Sequence, residues 1–271
     1  MTYSNILVER DDGVGRIVLN RPEILNPLCT ETFVQYREAL QAFRDSGDVR
    51  VVVLTGAGRA FCAGADMKWL DGALHRDTLD REARRRDMDD VLIEGHALIR
   101  ELRAFPGPVV SVVNGPAVGG GVGLALAADM VLAAKSAYFG LPFVPNLGLV
   151  PDLGGFAFMQ KRIGSACAMG CALLGDRLDA ETAANWGLIW QCVADHRLAD
   201  VVTTLVKRLT LLPVSAVVAL KQMSAYAQEE TLPAFLDHER ALQAQLFSGD
   251  HAFEKISAVI EKLRPVPRRS E

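Results

Sequence analysis

Three apolar runs do most to limit what this chain can fold into: RVVVLTG at 50–56, GPVVSVVNG at 107–115 and DMVLAAKSA at 129–137. Their middles are valine, leucine and alanine broken only by Ser111, with no alternation of apolar and polar residues. A strand with water on one side needs that alternation, so these three read as strands covered on both faces. Between them lie a helical stretch over about 88–104 and the small-residue run GGGVGLALAAD at 119–129. Buried strands alternating with helices call for right-handed crossovers and a mostly parallel sheet. The fold class is α/β.

The flanks extend this core. NILVER (5–10) and GRIVLN (15–20) read as a hairpin that turns at DDGVG. TETFVQYREALQAFRD (30–45) predicts a helix capped by Thr30, with Phe33, Tyr36, Leu40 and Phe43 on one face. From about residue 156 almost every segment reads as helix, and Trp186 and Trp190 read as core. The expected organisation is a core over 1–200 and a C-terminal helical region over 201–271 that serves oligomer contacts.

Bulk properties remove several classes of function. The chain has 271 residues, half of them apolar, which is enough to bury a large core. With 29 basic and 33 acidic residues the formal net charge is −4, which argues against a nucleic-acid surface. The basic run around 81–87 reads as a solvated helix face. Cys29, Cys62, Cys167, Cys171 and Cys192 form no C-x-x-C pair and no zinc spacing, as expected of a reduced intracellular protein without a metal. The N-terminal segment has no apolar signal core, and no run reaches the ~18 apolar residues of a membrane span. A cytoplasmic protein with no membrane or nucleic-acid partner is expected.

The glycine-rich stretches match no nucleotide-binding motif. VNGPAVGGGVGLALAAD (113–129) follows a strand and opens a helix, where a dinucleotide would bind. The fingerprint fails, because Leu124 and Leu126 stand where its last small residue is required, and no acid follows about 20 residues on. G-K-[ST], G-x-S-x-G and H-E-x-x-H are all absent. Glycines at a helix start do leave backbone N–H groups uncovered and aimed by the helix dipole, which suits an anion or oxyanion. They equally suit close helix–strand packing. GAGRAFCAGADMKW (56–69) is a second place of this kind, just after a buried strand.

AFCAGAD, VNGPAVGGGVGLALAAD, GLVPDLGG and WGLIWQCV, in that order, resemble the crotonase (enoyl-CoA hydratase/isomerase) superfamily. The resemblance runs from LNRPEILNPL to ISAVIEKLRP and looks closest to the phenylacetate-pathway enoyl-CoA isomerase branch. It implies a spiral of ββα units, a C-terminal helical oligomerisation region, and a trimer or dimer of trimers. It also implies an acyl-CoA thioester substrate that brings its own CoA, with no further cofactor. Carried over by motif, the backbone N–H groups of Ala65 and Gly120 would hold the thioester oxygen. Glu23, Ile24 and Leu25 would line the CoA, Ala63 would meet the adenine, and Lys262 would approach the phosphates. Gly64, Asp66, Met67 and Gly119 flank the two donors and join the binding set, with Asp66 read as a structural cap or salt-bridge partner rather than a catalyst, since the motif supplies its N–H and not its acid. Val259 stands where the family often has phenylalanine.

The departures carry more than the matches. Hydratases of this family use two glutamates, and the corresponding positions here are Gly123 and Phe143. The remaining carboxylate is Asp152, set in the apolar and glycine-rich LGLVPDLGG, where the isomerase branch also carries an aspartate. Moving a double bond needs one base that takes a proton from C2 and returns it at C4. A carboxylate in apolar surroundings has a raised pKa, which suits it to both steps. The resemblance thus implies isomerisation of a 3-enoyl-CoA to a 2-enoyl-CoA, or of a ring-bearing acyl-CoA of the epoxyphenylacetyl-CoA type. The alternatives are an enoyl-CoA hydratase or another crotonase-type lyase or hydrolase, and a non-catalytic acyl-CoA-binding scaffold. His75 and His96 fall in the variable segment over the acyl pocket and read mainly as surface residues, as do His196, His238 and His251.

Overall fold

The computed structural model describes residues 3–74 and 81–263. β1 (Ile6–Asp11) and β2 (Val14–Leu19) form the expected antiparallel hairpin. Its two turn residues, Asp12 and Gly13, both have positive φ, as a two-residue hairpin loop requires. A 3-10 turn at Pro22–Ile24 leads into α1 (Thr30–Ser46). Thr30 is the first helical residue and not the cap. Cys29 takes the cap position, and no side chain closes it. The predicted apolar face is the buried one, through Phe33, Tyr36, Leu40 and Phe43, each Phe or Leu contributing ~1.5–3 kcal/mol on burial.

β3 (Val51–Gly56) comes next, with Val51 to Leu54 fully buried as its composition demands. The chain continues through α2 (Met67–Leu74), α3 (Arg81–Arg103), β4 (Val109–Val113), β5 (Ala117–Val118), α4 (Gly120–Leu126), β6 (Met130–Ala134) and β7 (Tyr138–Gly140). α3 starts at Arg81, earlier than predicted, and takes the arginine run into the helix. Then follow α5 (Phe143–Leu147), α6 (Gly155–Leu174), β8 (Leu178–Asp179), α7 (Ala180–Asn185), β9 (Gln191–Val193) and α8 (Leu198–Thr210).

One sheet has the order β1-β2-β3-β4-β6-β9, and a second, smaller sheet the order β5-β7-β8. Beyond the hairpin, every pairing in the larger sheet is parallel. β4 and β5 are consecutive strands, one in each sheet, and so are β6 and β7; a helix follows each pair. This is the spiral of ββα units. β8 and β9 are corrections to the expectation that almost every segment after residue 156 is helical. Both are too short to carry a periodic signal and are recruited by strands already in place. Trp186 and Trp190 are also corrected: they are 44% and 67% exposed, not core.

The chain divides into two compact units, with the boundary between Thr210 and Leu211. α8 belongs to the first, with Leu198, Val202 and Val206 buried. The second holds α9 (Val214–Tyr226), α10 (Leu232–Phe247) and α11 (Asp250–Leu263), with the rings of Tyr226 and His238 stacked at 4.3 Å. Among the described residues no single helix is long and apolar enough to cross a membrane, and all five cysteines are free thiols.

Candidate active site

Two loops leave the parallel strands β3 and β4 side by side and are tied in register. The Val118 N–H donates to the Cys62 carbonyl (2.9 Å), and the Cys62 N–H donates to the Pro116 carbonyl (3.0 Å). Cys62 and Ala117 are paired by this bridge, so Ala65 and Gly120 lie at the same offset of three residues beyond it. Each is preceded by a glycine with positive φ, +93° at Gly64 and +57° at Gly119. The two glycine backbones meet: a Cβ on Gly64 would stand 3.5 Å from the Gly119 Cα and 2.9 Å from the Val118 carbonyl oxygen. Parallel register and bare glycines therefore bring the peptides of Ala65 and Gly120 together. No hydrogen bond among the described residues engages either N–H. Gly120 opens α4, where first-turn N–H groups have no acceptor within the helix.

Asp152 reaches the same place from the other side. It sits in the loop between α5 and α6, and its Oδ1 lies 3.1 Å from where a Cβ on Gly120 would be. That oxygen is buried and has no hydrogen-bond partner among the described residues. Burial pushes the carboxyl up from its ordinary 3.8 to about 6, against a smaller opposing pull from its own backbone N–H. A carboxyl shifted this way is mostly ionised at neutral pH and takes up and gives back a proton more readily than an ordinary one.

Asp66, next to Ala65, is held differently. Its carboxylate meets the Arg21 guanidinium at 2.7 Å and accepts from the Lys68 N–H at 3.0 Å. Burial alone would raise this group, but Arg21 and the Lys68 N–H outweigh it and hold Asp66 below the usual carboxylate range. The pair fixes the turn that presents the Ala65 peptide, and the charge is unavailable as a base.

A cleft of about 430 Å³ opens beside these loops. Of the sequence-predicted residues, Ile24, Ala63, Gly64, Ala65, Asp66, Met67, Gly119 and Phe143 line it. Asp152, Gly120 and Gly123 do not; Gly120 follows directly on the Gly119 wall, with Asp152 against it. Glu23 is exposed and Leu25 half-buried, both outside the lining. Leu25 instead accepts from the Ala63 N–H at 2.9 Å. Lys262 and Val259 stand exposed on α11 of the second unit. His96 is exposed on α3, and His75 lies outside the described residues. Lys68, Val118, Asn146 and Leu147 line the cleft without having been singled out from the sequence. Lys68, Val118 and Leu147 lie within the quoted stretches 56–69, 113–129 and LGLVPDLGG, while Asn146 arrives only through the fold of α5.

The two hydratase-glutamate positions are filled in different ways. At Gly123, a Cβ would stand 2.5 Å from the Leu153 carbonyl oxygen, so the loop carrying Asp152 occupies the space of any side chain there. Phe143 is buried and lays its ring against Gly119 in the cleft wall.

Residues 9–268 match the family described as enoyl-CoA hydratase/isomerase. The chain is a member of that family. It is 39% identical over 262 residues to 1,2-epoxyphenylacetyl-CoA isomerase of Escherichia coli, covering 96% of this chain and 97% of the relative. It is 37% identical over 268 residues to a Rhodobacter capsulatus protein named "Probable enoyl-CoA hydratase", covering 98% of each. The crystal structure of an enoyl-CoA hydratase from Polaromonas sp. JS666 superposes with a TM-score of 0.88 at 27% identity, covering 96% of this chain and 98% of that one. Enzymes named for both reactions are therefore similar to this enoyl-CoA hydratase/isomerase family member. Among its described residues no group of three or more His, Cys, Asp or Glu side chains is placed to hold a metal.

Proposed function

We propose that this protein is an acyl-CoA double-bond isomerase with Asp152 as its single base and the N–H groups of Ala65 and Gly120 as its oxyanion donors. The observation that carries the reading is the buried, unpartnered Asp152 Oδ1 beside Gly120, with no carboxylate at position 123 or 143. Asp152 takes the C2 proton of a 3-enoyl-CoA. The electron pair moves toward the thioester carbonyl, whose oxygen the two N–H groups stabilise, and the protonated Asp152 then delivers the proton to C4. Each oxyanion donor of this kind is worth ~2.7–4 kcal/mol in the transition state.

Hydration would need a further group to activate water, and Leu153 and Phe143 stand where such a group would be. The apolar wall of Phe143, Ile24 and Leu147 suits a bulky or ring-bearing acyl group, in keeping with the epoxyphenylacetyl-CoA isomerase similarity. The exposed ammonium of Lys68 at the cleft suits the CoA phosphates. The same reading carries a homo-oligomer, a trimer or dimer of trimers, for which the exposed apolar Leu173, Leu174 and Trp190 provide contact surface. Light scattering giving a monomer would end that part of the proposal.

The test is mass spectrometry and ultraviolet absorbance on a panel of 3-enoyl-CoA, 2-enoyl-CoA and ring-bearing thioesters, with wild type beside Asp152→Asn. Isomerisation gives a conjugated product of unchanged mass, lost in the variant. Gain of a water by the wild type would make it a hydratase. Tight CoA binding with no turnover by either protein would make it a scaffold.

A further inference from the structure

Leu153 has a backbone conformation that its chemistry disfavours. Its φ is +47°, in the left-handed region that suits glycine, yet it is a leucine and is only 2% exposed. Its atoms fill the side-chain space of three glycines on two helices. A Cβ on Gly95 of α3 would stand 2.5 Å from the Leu153 Cδ2. One on Gly120 of α4 would stand 3.0 Å from Cδ1, and one on Gly123 would meet the Leu153 carbonyl oxygen and Cβ at 2.5 and 2.8 Å. Leu153 is thus keyed into both helices at once, and Asp152 is its chain neighbour.

We propose that Leu153 is a positioning residue that sets the Asp152 carboxylate by packing. The inference rests on the reading of Asp152 as the base. A carboxylate is usually oriented by hydrogen-bond donors, but each donor stabilises the charged form and weakens the base. Asp152 Oδ1 has none among the described residues, and its own backbone N–H gives the carboxyl a pull smaller than the effect of burial, so its place beside Gly120 is fixed mainly by other means. A neighbour locked in a strained backbone by three close contacts fixes the carboxylate without adding a donor. Cys62, on the other side of the first turn of α4, leaves this arrangement electrically alone. Burial first, and the charge of Asp152 after it, push its thiol up to about 12, so it is neutral there.

The experiment follows the 13Cγ resonance of Asp152 through pH in protein labelled at aspartate, assigned by its loss in Asp152→Asn. Wild type, Leu153→Ala, Leu153→Met and Gly95→Ala are compared, and kcat and KM are measured on whichever enoyl-CoA the wild type converts. Wild type should titrate near 6. Leu153→Ala should titrate closer to the ordinary carboxylate value, because the loosened group gains water. Its kcat should fall on the order of ten- to a hundredfold, with KM changed by less than about twofold.

Leu153→Met, which restores the bulk, should restore both readouts. Gly95→Ala leaves Leu153 in the chain but drives its Cδ2 aside, and should act like Leu153→Ala; it decides the matter if Leu153→Ala does not fold. An unchanged Asp152 midpoint and unchanged kcat in the folded variants would overturn the proposal, since a purely structural leucine would lower only the melting temperature. If wild type turns over no enoyl-CoA, the isomerase reading fails, while the Asp152 midpoints still decide the role of Leu153.

Discussion

Replacing Asp152 by asparagine should abolish isomerisation and at the same time stabilise the protein. Burial displaces this carboxyl from 3.8 to about 6, which corresponds to ~3 kcal/mol of disfavoured charge in the folded state. Because the folded value lies above the unfolded one, the wild type is free of this cost below about pH 4. It accumulates the cost as pH rises toward 6, and carries it in full above that. Asparagine is neutral throughout but brings an amide that is itself poorly solvated at this site, so the net gain above pH 6 is ~1–3 kcal/mol. For a unit of this size that is a rise in melting temperature of roughly 2–10 °C. Melting curves of both proteins from pH 4.5 to 8 should show the gap opening between 4.5 and 6 and staying level beyond. Equal melting temperatures at pH 7.5, or a gap of the same size at pH 4.5, would refute the claim that Asp152 is held ionised in a poorly solvated place.

Three further outcomes follow from the same geometry. The kcat/KM of the wild type should fall as pH drops through about 6, since only ionised Asp152 can take the C2 proton; a profile flat down to pH 5 would remove it as the base. Gly123→Ala should cost ~1–3 kcal/mol, read as denaturant midpoint, because its Cβ would be driven into the Leu153 carbonyl oxygen. Gly123→Glu should therefore not create a hydratase, and a folded, water-adding Gly123→Glu enzyme would contradict the packing. Arg21→Ala should destabilise by about 3 kcal/mol, because it strands the Asp66 carboxylate, only 9% exposed, without its cation. Adding Asp66→Asn to that variant should recover part of the loss, and no recovery would mean that Arg21 acts through packing alone.

What the sequence by itself determined was whatever depends on neighbours in the chain. Apolar runs without alternation made β3, β4 and β6 buried parallel strands, and the spacing of Phe33, Tyr36, Leu40 and Phe43 defined the buried face of α1. Motif order gave the family, and the missing glutamates at 123 and 143 singled out Asp152. The short strands β8 and β9 were illegible because two or three residues carry no period, and strands already in the sheet decide their pairing. Trp186 and Trp190 are exposed although their aromatic character suggests burial, because composition does not say which way a turn faces.

Only the tertiary structure decided the site itself. The equal offset of Ala65 and Gly120 from a bridge between two strand exits is a matter of register, and register joins residues far apart in the sequence. Gly123 could be read as an absent glutamate, but not as a space already filled by Leu153, thirty residues further on. The basicity of Asp152 has the same origin. A carboxylate's pKa is set by the water and donors around it, and those are removed by helices and loops that meet only when the chain has folded.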